Sequence, residues 1–303
     1  METDSNILLV GIESIYGKSI FSYLDQKGFT KISKPRYSTI DNSVKLDKLF
    51  NKNMPDYIIL ASVHEGGIYE NINHPADLIY KNLFTELNII HHAYKCGVKK
   101  LLFLASSCIY PKKSPQPIKE QYLLEGPLEQ TSISYAIAKI AGIHLCQAYN
   151  KQYGCNFICG VPTNIYGPND NFDPHSSHVV ASLIRKFSDN KDKPIIVWGT
   201  GKPRREFLYS ADFAEACLFL MNNYNQMDII NIGSGTDVSI YELANIINKI
   251  SKKKNKIIFD ISKPDGAQKK QLDGSRLKKL GWTPKIDLET GLRQTYYWYL
   301  KNR

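Results

Sequence analysis

No stretch of this 303-residue sequence stays apolar for the roughly twenty residues that a membrane-spanning helix needs. The opening Met1-Glu2-Thr3-Asp4-Ser5-Asn6 has no basic region running into an apolar one, so no secretory signal peptide is expected. The six cysteines, Cys96, Cys108, Cys146, Cys155, Cys159 and Cys217, show no zinc-type paired spacing. In a long chain without a secretion signal they do not read as a disulfide framework either. Internal repeats and low-complexity segments are also missing. Together these absences predict a protein of the reducing cytoplasm, with no membrane segment and no resident metal.

Hydrophobic residues make up 43% of the chain, enough for a sizeable core, and charged residues an ordinary 22%. The length fits one large domain or two that share a cleft. The net charge of +10 and pI of about 9.1 call for an anionic partner, which can be a nucleic acid or a phosphorylated small molecule. The lysines are scattered rather than gathered, which disfavours nucleic acid. The one dense run, Lys252-Lys253-Lys254-Asn255-Lys256, reads as a solvated loop between a helix and a strand.

Along the first half, short apolar runs alternate with helical periods. Strands are expected at Ile7–Val10, Tyr57–Ala61, Lys100–Ala105 and Asn156–Val161. Helices are expected at about Ile15–Gln26, Pro75–Cys96 and Ser132–Tyr153. Continuous apolar strands between helices predict an α/β fold with a doubly wound parallel sheet covered on both faces. After about Tyr166 the pattern loosens. A loop rich in Pro, Asn, Asp and His leads to a helix near His178–Phe187 and a strand at Ile195–Trp198. The organisation expected is a dinucleotide-binding domain over residues 1–168, rejoined by parts of 207–236, and a smaller substrate domain over 169–303.

The first strand runs into Gly11-Ile12-Glu13-Ser14-Ile15-Tyr16-Gly17. A glycine turn there lets the backbone approach a pyrophosphate, which the following helix N-terminus stabilises. Gly11, Ser14, Ile15, Tyr16 and Gly17 are therefore candidate cofactor residues, although a plain strand-to-helix turn would look the same. Beyond the next strand no acid stands ready for a ribose hydroxyl. Lys34, Pro35 and Arg36 appear instead, and cations suit the 2′-phosphate of NADP(H). A solvent-facing basic turn is the alternative.

Ser106 ends the Leu-Leu-Phe-Leu-Ala strand, and Tyr135 and Lys139 lie four apart on one helix face. A carbonyl that receives a hydride becomes an alkoxide and needs a proton. Tyr135 can donate it, and Lys139 beside it favours the phenolate and can hold the nicotinamide ribose. Ser106 can hydrogen-bond the carbonyl oxygen.

At these residues the sequence resembles the GDP-L-fucose synthase family within the short-chain dehydrogenases/reductases. The matching stretches are Ser106-Ser107-Cys108-Ile109-Tyr110-Pro111, Tyr135-Ala136-Ile137-Ala138-Lys139-Ile140-Ala141-Gly142 and Pro162-Thr163-Asn164-Ile165-Tyr166-Gly167-Pro168. Asp170-Asn171-Phe172, Ser177-His178-Val179, Val197-Trp198-Gly199, Arg205-Glu206-Phe207 and Ser262-Lys263-Pro264-Asp265-Gly266 follow. The resemblance covers nearly all of the chain from about Pro55. It implies reduction of the C4 ketone of a GDP-4-keto-6-deoxy sugar by NADPH, preceded by inversion at C3 and C5. The implied acid and base for that inversion are Cys108 and His178. Taken singly, the first could be a small apolar residue at a strand end and the second a polar helix start. Pro162, Thr163, Asn164, Ile165 and His178 are implied on the nicotinamide side, with Tyr80, Asn82 and Asn88 on the helix behind it. Lys186, Trp198 and Arg205 are implied around GDP, with Asp265 close by. A homodimer through the helices at Pro75–Cys96 and Ser132–Tyr153 is implied as well.

The sequence departs from the family in two places. Ser14 replaces the middle glycine of the phosphate loop, and Glu13 stands where an arginine is expected. In Val63-His64-Glu65-Gly66-Gly67-Ile68, His64 replaces a lysine in a loop expected to face the site. Two alternatives follow: a dedicated 4-reductase acting on a sugar or heptose epimerised elsewhere, and a non-catalytic nucleotide-binding protein.

Overall fold

Three runs, Ile7–Val10, Lys100–Leu104 and Phe157–Pro162, apolar but for Lys100, are buried from end to end, as strands sandwiched between helices must be. A computed structural model describes the chain except residues 62, 63, 65–67, 175, 191, 192 and 264 and the side chains of Ile68 and Tyr69. The first half runs β1 (Ile7–Val10), α1 (Ile15–Gln26), β2 (Ile32–Ser33), α2 (Ser43–Asn53), β3 (Tyr57–Leu60), α3 (Ile68–Asn73), α4 (Pro75–Lys95), β4 (Lys100–Leu104), α5 (Ile133–Tyr153) and β5 (Phe157–Pro162). Next come β6 (Asn164–Tyr166), α6 (Val179–Asp189), β7 (Ile195–Trp198), β8 (Arg204–Tyr209), α7 (Ser210–Asn223) and β9 (Ile230–Ile232). The chain ends with β10 (Asp237–Ser239), α8 (Ile240–Ser251), β11 (Ile257–Asp260), β12 (Lys269–Lys270), α9 (Ser275–Lys279) and α10 (Leu288–Asn302).

The main sheet has the order β2-β1-β3-β4-β5-β9, and every neighbouring pair in it is parallel. Its order reverses at β1, with β2 on one side and β3 on the other. In a doubly wound sheet that reversal opens a crevice at the carboxyl ends of the strands. Alternate residues of each strand serve opposite faces. Ile7 and Leu9 join Ile20 and Leu24 of α1 and Phe213 and Leu220 of α7. Leu8 and Val10 join Ile89 and Ile90 of α4 and Ile143 and Cys146 of α5. The approach of α5 is close, because a Cβ on Gly142 would lie 2.4 Å from the Phe103 ring of β4. A side chain there would push the catalytic-helix candidate off the sheet.

A third core gathers Leu183, Ile184 and Phe187 of α6 with Val197, Phe207, Leu243, Ile247, Leu292 and Tyr296. It lies among β7, β8, α8 and α10. The two parts interleave. β8 pairs with β6, β10 and β12, and β9 returns to the edge of the main sheet. Leu272 also reaches one sheet-facing core, and Leu277 and Trp282 the other. The C-terminal segment therefore touches the first part beyond residues 207–236. Buried Glu206 ties the strands together by accepting from the backbone N–H of Gly235 at 2.7 Å and of Leu272 at 2.8 Å. The lysine run lies between α8 and β11 as a loop, but Lys253 is not simply solvated: its ammonium donates to the Ser188 and Asn190 carbonyls at the end of α6. Among the described residues, no helix is long and apolar enough to cross a membrane, and no metal-binding group of His, Cys, Asp or Glu is gathered.

Candidate active site

The turn after β1 closes without a third glycine. Gly11 has φ +94°, a left-handed conformation that favours glycine. A Cβ on Gly17 would lie 2.2 Å from the Gly11 carbonyl oxygen, so that position also needs glycine. Ser14 has φ −83° and ψ 162°, which any residue adopts, and it is the N-cap of α1. Its hydroxyl accepts from Gly17 N–H at 3.1 Å and donates to the Gly11 carbonyl at 2.8 Å. Ile15 and Tyr16, at the first turn of α1, line a cavity of about 340 Å³.

The same cavity receives Ser106, Cys108, Tyr135, Thr163, Asn164, Ile165, His178 and Arg205. These come from five separate stretches of chain. Ser106 caps the short turn Ser107–Ile109 after β4, and its Oγ accepts from Cys108 N–H at 3.4 Å. Cys108 is buried in that turn. Burial pushes its thiol up, and Lys270, Ser106 and Lys139 pull it back. Tyr135 stands in the first turn of α5, and Lys139 one turn deeper with no solvent exposure. Lys139 Nζ is 2.6 Å from Glu86 Oε1, donates to the Leu104 carbonyl at 3.1 Å, and lies 5.4 Å from the Tyr135 ring centroid. His178 is the N-cap of α6, but its imidazole makes no capping bond and is exposed at the cavity.

The Thr163 hydroxyl and the Asn164 amide both donate to the Glu206 carbonyl, at 3.2 and 2.8 Å, which fixes the segment after β5. Pro162 is buried in β5 itself and does not line the cavity. Arg205 is partly buried; one guanidinium nitrogen donates to the carbonyls of Arg204 at 2.8 Å and Ala267 at 2.5 Å. Burial pushes it below the usual guanidinium range, and Asp265 opposes that.

Other sequence candidates lie outside the cavity. Lys186 Nζ donates to the Ile196 carbonyl at 2.8 Å. Trp198 is 68% exposed, with Lys263 Nζ 5.6 Å from its ring centroid. Asp265 accepts from Thr200 N–H and hydroxyl at 2.8 and 2.7 Å, which holds its carboxyl below the usual range. Arg36 is exposed beyond β2, while Lys34 Nζ sits 3.3 Å from the Phe21 ring centroid. Tyr80 is 68% exposed on α4, and the Asn88 amide donates to the Phe84 carbonyl of its own helix. Neither lines the cavity.

Asn82 is fully buried. It brackets His64, donating to its carbonyl at 3.0 Å and accepting from its N–H at 3.4 Å. His64 packs edge-on to Tyr37 at 4.0 Å rather than lining the cavity, and burial lowers it to about 4. Its ring thus meets the chain neighbour of Arg36, while Asn82 of α4 holds its backbone. Val63, Glu65, Gly66 and Gly67 of its loop, and Pro264 of the Ser262–Gly266 motif, lie outside the described residues.

Two residues that no sequence motif singles out stand beside these groups. Lys270 lines the cavity beside Cys108, and burial pushes its ammonium down. Its signal was position: it follows the Asp265-Gly266 motif by a few residues. Glu86 faces Lys139 from α4. It lies on the stripe of Leu78, Asn82, Ile89 and Ala93, where an acid on a buried helix face is the sign that was available.

A family model, NAD dependent epimerase/dehydratase, matches residues 7–233. GDP-L-fucose synthase 1 of Arabidopsis thaliana is 47% identical over 99% of this chain and 95% of its own. A GDP-6-OMe-4-keto-L-xylo-heptose reductase from C. jejuni is 33% identical over 100% of this chain and 99% of its own, with a TM-score of 0.94. MlghC, a GDP-mannoheptose C4 reductase from Campylobacter jejuni with NADP bound, is 34% identical over 99% of both chains, with a TM-score of 0.92. With a parallel sheet, a glycine turn after its first strand and candidate residues Ser106, Tyr135 and Lys139, and with that match over most of its length, the chain belongs to the NAD dependent epimerase/dehydratase family.

Proposed function

We propose that this chain reduces the C4 ketone of a GDP-4-keto-6-deoxy sugar with NADPH, and that the same cavity first inverts C3 and C5. The observation that carries the reading is the convergence of Ser106, Cys108, Tyr135 and His178 on one cavity that also meets the first turn of α1. The turn fits a dinucleotide. Gly11 takes the left-handed turn, Gly17 lets the helix start pack against it, and the α1 N-terminus suits a pyrophosphate. Ser14, Ile15, Tyr16, Arg36, Lys139 and the stretch Pro162–Ile165 would hold the cofactor, with His178 close to the nicotinamide. When bound, NADPH supplies the hydride. The rest is the work of the chain. Ser106 holds the ketone oxygen, and Tyr135 gives the proton as charge develops there.

Hydrogens at C3 and C5 are acidic because each carbon neighbours the ketone. Cys108 and His178 are the acid/base pair, one removing a proton from one face and the other returning one to the opposite face. Arg205 and Lys270 give the cavity positive charge for the diphosphate, and Lys186, Trp198 and Asp265 hold the GDP end from outside it. The part centred on the main sheet takes the cofactor and the part around the third core takes the nucleotide sugar. The setting is the reducing cytoplasm, in keeping with six free cysteines. The assembly is a homodimer through α4 and α5, whose Tyr80, Ile137 and Tyr153 are exposed.

A narrower reading, 4-reduction alone on a pre-epimerised sugar or heptose, draws support from the two heptose reductases that share the fold so closely. The non-catalytic alternative loses its ground, since Ser14 caps α1 and the phosphate turn is sound. The test is oxidation of NADPH on adding GDP-4-keto-6-deoxy-D-mannose. Turnover is expected with this sugar, and the reading fails if neither it nor a GDP-4-keto-heptose is consumed.

A further inference from the structure

The buried stripe of α4 carries Leu78, Asn82, Thr85, Glu86, Ile89, Ile90 and Ala93. An acid in such a stripe is unfavourable unless it is paired. Glu86 is paired: its Oε1 lies 2.6 Å from Lys139 Nζ, and neither side chain has any solvent exposure. Lys139 also donates to the Leu104 carbonyl, so two of its three N–H donors are engaged within the protein. The Tyr135 ring lies 5.4 Å from the same nitrogen. The second oxygen of Glu86 is buried, with no hydrogen-bond partner among the described residues.

Among the described residues, the titratable groups that interact with this pair include Tyr135 and Cys146 on α5, Cys108 in the turn after β4 and His64 ahead of α3. Burial pushes the thiols of Cys108 and Cys146 up, so both stay neutral, and it pushes His64 down to about 4, so it is neutral at pH 7. The Glu86 carboxyl stands above its usual range, because burial raises it and the charge and hydrogen bond of Lys139 offset only part of that; the 2.6 Å contact with the ammonium is what favours the ion pair. Among these groups Glu86 alone can offset the lysine's charge at neutral pH.

We propose that Glu86 is the ionised counter-ion of Lys139 and sets how much of the lysine's positive charge reaches Tyr135. This rests on Ser106, Tyr135 and Lys139 being the reducing centre. An unopposed ammonium beside a phenol favours the phenolate, and a phenolate cannot act as the proton donor. With Glu86 ionised, the pair is close to neutral as seen from Tyr135. The phenol then keeps its proton to higher pH, and the lysine stays fixed for the ribose. Glu86 is thus a positioning residue with an electrostatic task.

The test is the pH profile of kcat for NADPH-dependent reduction, measured in single turnovers for the wild type, Glu86→Gln and Glu86→Asp. Gln still accepts a hydrogen bond from Lys139 but removes the charge. Its alkaline limb should fall at lower pH by about one pH unit. Asp keeps the charge and should keep the wild-type limb. NADPH binding, followed by its fluorescence, should be unchanged in both. A limb that stays put in Glu86→Gln, or moves equally in Glu86→Asp, overturns the proposal. If Glu86→Gln does not fold, Glu86→Met/Lys139→Met removes both charges together. Its rate should be lower and its limb should stay at the wild-type pH, whereas a limb displaced upward would mean that the lysine acts uncompensated. Tyr135→Phe separates the two claims: wild-type rates in that variant would sink the reducing centre itself, whatever Glu86 does.

Discussion

Lys34 and Arg36 look equivalent in the sequence, two cations after a strand in place of an acid. The folded chain separates them. Lys34 is spent on the Phe21 ring, 3.3 Å from its centroid, while Arg36 is exposed at the start of the turn Tyr37–Thr39. Glu13, which by sequence alone looks hostile to a phosphate, has a local task. Its carboxylate accepts from Tyr37 N–H at 3.1 Å and so ties the phosphate turn to the segment that carries Arg36. Preference for NADPH should therefore rest on Arg36. A hydrogen bond to a charged group contributes about 1.5–3 kcal/mol, or roughly tenfold and more in a ratio of rates. Arg36→Ala should cut the NADPH-to-NADH ratio of kcat/KM by about that factor, and Lys34→Ala by roughly twofold at most. Equal effects from the two variants would show that the cation–π contact does not remove Lys34 from the cofactor site.

The end of α7 depends on a residue of another element. Lys100 opens β4 and is 4% exposed, yet its ammonium reaches the carbonyls of Leu220, Met221 and Tyr224 and the side chain of Asn225 at 2.5–3.1 Å. Burial lowers it to about 8, so at pH 7 it is mostly charged and keeps its three N–H donors for the helix end. Lys100→Met should destabilise the fold by about 3 kcal/mol, since buried carbonyls lose their donors. Urea denaturation measures this, and an unchanged midpoint would mean that the carbonyls find other partners.

That contact was not legible beforehand. Lys100 simply looks like the polar edge of a strand, because its partners are more than a hundred residues away. The long strands and helices were legible, since β1 and β5 are unbroken apolar runs, β4 is one after Lys100, and α1, α4 and α5 carry helical periods. Two-residue strands such as β2 and β12 have no period to read. The pairing of β8 with β6, β10 and β12 is decided by tertiary contacts alone. Ser106, Tyr135 and Lys139 could be picked out as candidates from their spacing. Glu86 could not, because its meaning comes only from the lysine it meets across the interface of two helices.

The chain carries +10 overall, and part of that charge converges on the cavity through Arg205 and Lys270, while Lys112 and Lys269 are paired with Glu129 and Asp237. A cavity so charged suits a diphosphate, and its walls come from both parts of the fold, with β8 and β12 facing the turns after β1, β4 and β5. We propose that one cavity carries out both proton exchange and reduction. The measurement that bears on it most directly is the reaction of the wild-type protein with GDP-4-keto-6-deoxy-D-mannose and NADPH in deuterated water, with the product read by NMR. A product reduced at C4 and carrying deuterium at both C3 and C5 is predicted. A sugar left unreduced, or one reduced at C4 with no deuterium at either neighbouring carbon, would contradict it.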